Sequence, residues 1–134
     1  MEERRRPFRR HAQALIAALA LAGAAESCEL PEGARAESAS YRLAYRTIPG
    51  RLAVGEHFAL EYAVCPKAGA SPPAAVSADA WMPEHRHGMN YKASVKALGE
   101  GRFRAEGLLL HMPGRWEFVF TAGGERLTHS VRLE

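Results

Sequence analysis

The sequence predicts an all-β protein: an immunoglobulin-like antiparallel β-sandwich of six or seven strands, exported from the cytoplasm. Three observations predict it. Apolar residues recur at every second position in several short segments, turns rich in Gly and Pro separate those segments, and nothing downstream of the N-terminal apolar run looks like a helical partner for it. Stripes of this kind are buried when two sheets pack face to face. A small antiparallel barrel is the alternative, and strand order is not readable, because the same stripes suit several Greek-key arrangements.

The chain has 134 residues, a length that fits one domain. Arg4, Arg5, Arg6, Arg9 and Arg10 precede an apolar run from Ala12 to Ala25 that only Gln13 and Gly23 relieve. A basic start, a short apolar stretch and the small-x-small triplet Ala22-Gly23-Ala24 follow the order of a signal peptide, so residues 1–24 read as an export signal. Alanine and leucine also form helices well, which makes a buried N-terminal helix the alternative. The run is short and alanine-rich beside the roughly 20 apolar residues of a membrane span. Arg5-Arg6-Pro7-Phe8 partly matches a twin-arginine export motif. The expected destination is periplasmic or otherwise extracytoplasmic.

The signal also holds the charge excess. The whole chain has 18 basic and 15 acidic residues, of which the first 24 positions contain five Arg and two Glu, leaving 13 of each sign in the remainder. A domain without net charge lacks the electrostatic basis for binding nucleic acid. Cys28 and Cys65 have three open fates: a disulfide in an oxidising compartment, a lipidated N-terminus at Cys28, or neither. Ala25-Glu26-Ser27-Cys28 is a poor lipobox, lacking leucine three positions before the cysteine. Membrane contact is expected only if the signal stays uncleaved or Cys28 is lipidated.

Residues 25–40 are small and polar and read as a flexible tail, with the β-sandwich domain spanning 41–134. Tyr41, Leu43 and Tyr45 make the first stripe, and Ile48-Pro49-Gly50 ends it. Phe58, Leu60, Tyr62 and Val64 make the second. Lys67 to Ala80, centred on Ser71-Pro72-Pro73, reads as a loop. A strand follows from Tyr91 to Leu98, then a turn at Gly99-Glu100-Gly101, then a strand from Phe103 toward Leu110 and His111. Trp116, Phe118 and Phe120 form the strongest stripe. Gly123-Gly124 resembles a tight hairpin, and Leu127, His129, Val131 and Leu133 close the set.

The unusual chemistry lies in Trp81-Met82-Pro83-Glu84-His85-Arg86-His87-Gly88-Met89-Asn90. In an extended segment His85, His87 and Met89 point to one side, and Gly88 permits a bend around a common point. His111-Met112, just before Pro113-Gly114, is a second pair that a hairpin can bring to the same rim. Imidazole and thioether together suit copper, since the thioether favours Cu(I) and imidazole also supports Cu(II). The competing reading gives these residues ordinary work: methionine fills cores, and a histidine fixes a loop by one hydrogen bond. His129 reads as a satisfied core histidine and His57 as a solvated one.

Catalysis is not expected. No serine sits in a nucleophile elbow, neither cysteine neighbours a histidine in sequence, and Glu84 beside His85 has no second carboxylate. Gly99-Glu100-Gly101 is too short for a nucleotide loop.

Three stretches then carry a family resemblance: Leu52-Ala53-Val54-Gly55-Glu56; Met82-Pro83-Glu84-His85-Arg86-His87-Gly88-Met89; and Gly101-Arg102-Phe103-Arg104-Ala105-Glu106-Gly107-Leu108 running into His111-Met112-Pro113-Gly114-Arg115-Trp116-Glu117. The sequence resembles the YtkA-like domain family, exported or membrane-tethered β-sandwich proteins related in description to FixH-like proteins. Where that family commonly has glycine between the two histidines this chain has Arg86, and where it often has asparagine before the second methionine this chain has His111. The resemblance implies a tie to copper supply or respiratory-oxidase assembly, with His85, His87 and Met89 as ligands and His111 and Met112 as additional ones. Two functions follow as expectations. One is copper binding or delivery to a copper-receiving envelope protein. The other is a metal-free accessory module that meets a partner protein through Trp81, Met82, Arg86 and Tyr91, since aromatic residues, methionine and arginine are enriched at interfaces.

Overall fold

Alternating stripes are buried only if a second layer covers them, and here each sheet covers the other. A computed structural model describes residues 28–134, so the segment 1–24 read as an export signal lies outside the described residues. The strands are β1 (Ala34–Glu37), β2 (Tyr41–Ile48), β3 (His57–Pro66), β4 (Val76–Met82), β5 (His87–Gly88), β6 (Ser94–Gly99), β7 (Arg102–Leu109), β8 (Gly114–Ala122) and β9 (Glu125–Leu133). They form two antiparallel sheets, ordered β1-β2-β3-β7-β6 and β5-β4-β8-β9, that make a β-sandwich.

The expected stripes are the core. Tyr41, Leu43 and Tyr45 of β2 and Leu60, Tyr62 and Val64 of β3 face Trp116, Phe118 and Phe120 of β8 and Leu127 of β9. Phe118 meets the Tyr45 ring edge-on at 5.4 Å, and Phe120 lies 5.0 Å from Tyr62. Such aromatic pairs add about 0.5–1.5 kcal/mol beyond the area they bury. On the outer face, Arg46, Glu61, Arg104 and Glu106 form a run of ion pairs across β2, β3 and β7, which keeps that surface solvated.

Among the described residues, nine strands stand where six or seven were expected, and the additions have physical reasons. β4 occupies part of the stretch read as a loop from Lys67 to Ala80. Its inward positions are Val76, Ala78, Ala80 and Met82. Two of those four are alanines, whose methyl groups make a faint stripe beside the neighbouring prolines. β5 has two residues, too few for any period. β1 lies inside the segment 25–40 read as a flexible tail, so the ordered domain begins before Tyr41. It pairs with β2 through backbone bonds and buries only Ala36, so no apolar alternation announces it.

Cys28 and Cys65 form a disulfide, with Cα atoms 5.6 Å apart. With its sulfur engaged, Cys28 has no thiol to carry a lipid. The bridge ties the segment ahead of β1 to the end of β3. Pro31 and Glu32 border a groove with Ala44 and Ala63 on the outer face of the sheet, and both alanines are buried there. Gly33 permits this approach: at φ 150° its position is so close to β2 that a Cβ would stand 2.4 Å from the Tyr45 carbonyl oxygen. At the other hairpin, Gly123 and Gly124 both have positive φ (54° and 80°), as a two-residue turn between β8 and β9 requires.

Two core phenols carry a pH dependence. Tyr45 Oη lies 2.6 Å from His129 Nδ1, and Tyr62 Oη donates to the Val76 carbonyl at 2.6 Å. Burial pushes the Tyr45 hydroxyl up to about 12, and burial raises Tyr62 as well. Both folded values lie above the unfolded one, so the stability they contribute is present below about pH 10 and is lost as pH rises toward 12. At about 1.4 kcal/mol per unit, Tyr45 alone accounts for about 3 kcal/mol of that loss. Urea unfolding at about pH 9 and about pH 12 is expected to show the decline, and Tyr45→Phe is expected to lessen it. An equally steep decline in Tyr45→Phe would contradict the assignment.

Candidate metal centre

The His/Met segment is a hairpin. Met82 pairs with His87 and Trp81 with Gly88, so residues 83–86 connect β4 to β5. The Arg86 N–H donates to the Met82 carbonyl at 2.8 Å, and Arg86 sits at φ 56°, a left-handed conformation that reverses the chain between the two histidines. His85 is exposed at the tip and His87 is half-buried on the returning strand.

His111 arrives from a different connection. β7 ends at Leu109, and the Leu110 carbonyl accepts a hydrogen bond from the Gly55 N–H at 2.8 Å. On the other side, the buried Trp116 indole donates Nε1–H to the Met112 carbonyl at 2.9 Å. His111 is therefore held between two anchored neighbours.

These connections bring three imidazoles together. The rings of His85 and His87 lie 5.7 Å apart, and those of His87 and His111 5.1 Å apart. Trp116 meets His87 edge-on at 6.0 Å and His111 at 5.4 Å, forming the floor beneath both. His87 Nδ1 lies 3.1 Å from the Gly88 carbonyl oxygen. With the proton on Nδ1 for that contact, Nε2 keeps a free lone pair, the arrangement of a ligating histidine. His111 Nδ1 is buried and has no hydrogen-bond partner among the described residues. Leaving such a nitrogen unsatisfied costs about 1–3 kcal/mol, which a bound cation would relieve. Imidazole is a donor type that suits copper, and His87 and His111 bring two of them side by side.

The approach is pairwise. Among the described residues, no three His, Cys, Asp or Glu side chains are grouped closely enough to hold one ion. Met89 and Met112 are half-buried and pack against the core. Met82 is 1% exposed and belongs to the core outright, which corrects its expected place on a contact surface. Counted from Val76, its position on β4 is an inward one. Trp81, Arg86 and Tyr91 are exposed.

Glu84 is committed elsewhere. Its carboxylate accepts from Arg115 Nε at 2.7 Å, and that bond holds its pKa below the usual carboxylate value. His129 is half-buried and bonded to Tyr45, as a satisfied histidine should be. His57 is exposed, opposite Leu109 on β7, with its ring 5.2 Å from Tyr91. Trp116, the floor of the cluster, was not among the expected site residues. The signal was present: it lies four residues after Met112 and leads the inward stripe of β8.

A family model described as YtkA-like matches residues 35–120, more than half of the chain. No curated protein and no solved structure matches the chain.

Proposed function

The chain belongs to the YtkA-like family, whose members are non-catalytic accessory proteins, and from that premise we propose that it is an exported copper-binding or copper-delivery protein. The ion would be held by the His85, His87 and His111 rim taken in pairs, with Met89 and Met112 as thioether donors at the margin. One observation carries this reading. His87 and His111, supplied by separate connections, stand 5.1 Å apart, and the buried Nδ1 of His111 has no partner among the described residues. Imidazole accepts Cu(II), and thioether sulfur would retain Cu(I). An extracytoplasmic location agrees with the disulfide, which persists in an oxidising compartment. An immunoglobulin-like topology is part of the proposal. The orders β2-β3-β7-β6 and β5-β4-β8-β9 parallel the ABED and CFG sheets of that fold, with β5 added beside the C position and β1 beside A.

Titration of the exported protein with Cu(I) and Cu(II) tests the reading. The combined variant His85→Ala, His87→Ala, His111→Ala is expected to bind copper at least about 100-fold more weakly, more than the 10–100-fold that loss of an outer-shell partner costs. Unchanged affinity would defeat the site.

A metal-free accessory role is the second reading, favoured by the exposed rings of Trp81 (39%) and Tyr91 (51%) beside the rim. It predicts a partner protein that co-purifies with the apo form and is retained by the triple histidine variant.

A further inference from the structure

The three imidazoles differ in depth as well as position. His85 is exposed, His87 is half-buried, and His111 is half-buried with its Nδ1 sealed from solvent. His87 is the shared member, 5.7 Å from His85 on the outer side and 5.1 Å from His111 on the inner side. Only the two deeper rings touch Trp116. A single three-ligand site would place three imidazoles around one point, and no such group exists among the described residues.

Resting on the copper reading, we propose that the rim is two overlapping two-histidine sites in series: an outer pair, His85 and His87, that captures the ion, and an inner pair, His87 and His111, that retains it. Transfer between them is ligand exchange. The bond from copper to the His85 nitrogen breaks as the bond to the His111 nitrogen forms, His87 stays bound throughout, and the oxidation state of copper does not change. Release to an acceptor runs the sequence in reverse, with His85 presenting the ion at the exposed tip. The division of labour follows from solvation. An exposed imidazole meets an incoming hydrated ion without rearrangement, whereas an ion at the inner pair satisfies a nitrogen that otherwise lacks a partner.

The two tryptophans of the chain allow a direct test. In a Trp81→Phe background Trp116 is the only indole, and its fluorescence reports arrival of Cu(II) at the inner pair. Stopped-flow mixing with Cu(II) is expected to give a fast binding step followed by slower quenching of Trp116. His85→Asn should slow capture by about tenfold while leaving the equilibrium Kd within about threefold. His111→Asn and His111→Gln should keep the fast step, lose the slow quenching and speed release to a chelator by about 100-fold, and His87→Asn should abolish both steps. Circular dichroism and urea unfolding show whether each variant keeps its fold. Equal losses of affinity in the His85 and His111 variants, with one kinetic phase throughout, would overturn the serial arrangement while leaving copper binding in place. Failure of the unsubstituted protein to bind copper would overturn both.

Discussion

Removing the indole of Trp116 is expected to weaken the fold and the proposed copper rim together. Trp116 is fully buried, and truncating a buried tryptophan to alanine costs about 3–5 kcal/mol through lost transfer energy and the cavity left behind. Against a total stability of about 5–15 kcal/mol, that is about a fifth of the total at the least. The loss also reaches the site, because the indole N–H fixes the Met112 carbonyl and its ring supports His87 and His111. Trp116→Phe separates the two effects. It keeps much of the apolar volume and deletes the hydrogen bond, at a cost of about 1–3 kcal/mol for the carbonyl left unpaired. Urea unfolding should rank the native protein above the Phe variant and the Phe variant above the Ala variant. Copper titration of the folded Phe variant should show affinity about tenfold weaker, the lower end of the loss that follows removal of a group orienting a ligand. Native copper affinity in that variant would mean that the indole bond does not position His111.

The same residues show how much of this was legible beforehand. Trp116, Phe118 and Phe120 announce a core strand because large side chains repeat with period two, and Gly123-Gly124 announces the hairpin after it. β4 was hidden because Ala78 and Ala80 occupy its inward positions. Met82 follows from the same cause: without the phase set by Val76, it reads as part of the His/Met run rather than as core. Chemistry suggested the rim, but chemistry could not give its shape. His87 lies on a strand of one sheet and His111 follows a strand of the other, so their separation depends on sandwich closure, strand order and the anchors at Leu110 and Met112. None of these is a property of local sequence. The cysteines make the same point, since their types allowed a bridge and only the fold brings Cys28 to the end of β3.

The double variant Cys28→Ala, Cys65→Ala is expected to lose about 4 kcal/mol of stability and to keep its copper affinity. The bridge spans 37 residues, and closing a loop of that size removes about 13 cal/mol/K from the entropy of the unfolded chain. Alanine avoids placing a hydroxyl at the fully buried Cys65 position. The lost constraint also frees the segment ahead of β1, so amides along β1 and the β2 edge should exchange hydrogen faster than those of β8. The rim should not respond. β3 begins opposite Leu109, close in sequence to His111, and Cys65 lies eight residues further along it, about 26 Å away at the rise of an extended strand. Urea unfolding and copper titration of the same preparation check both halves of the prediction. A large fall in copper affinity among folded molecules would show that the bridge supports the rim across the length of the sheet, contrary to its placement at the opposite end. Trp116 and the disulfide therefore pull apart under paired measurement: removing the first should lower stability and affinity together, and removing the second should lower stability alone.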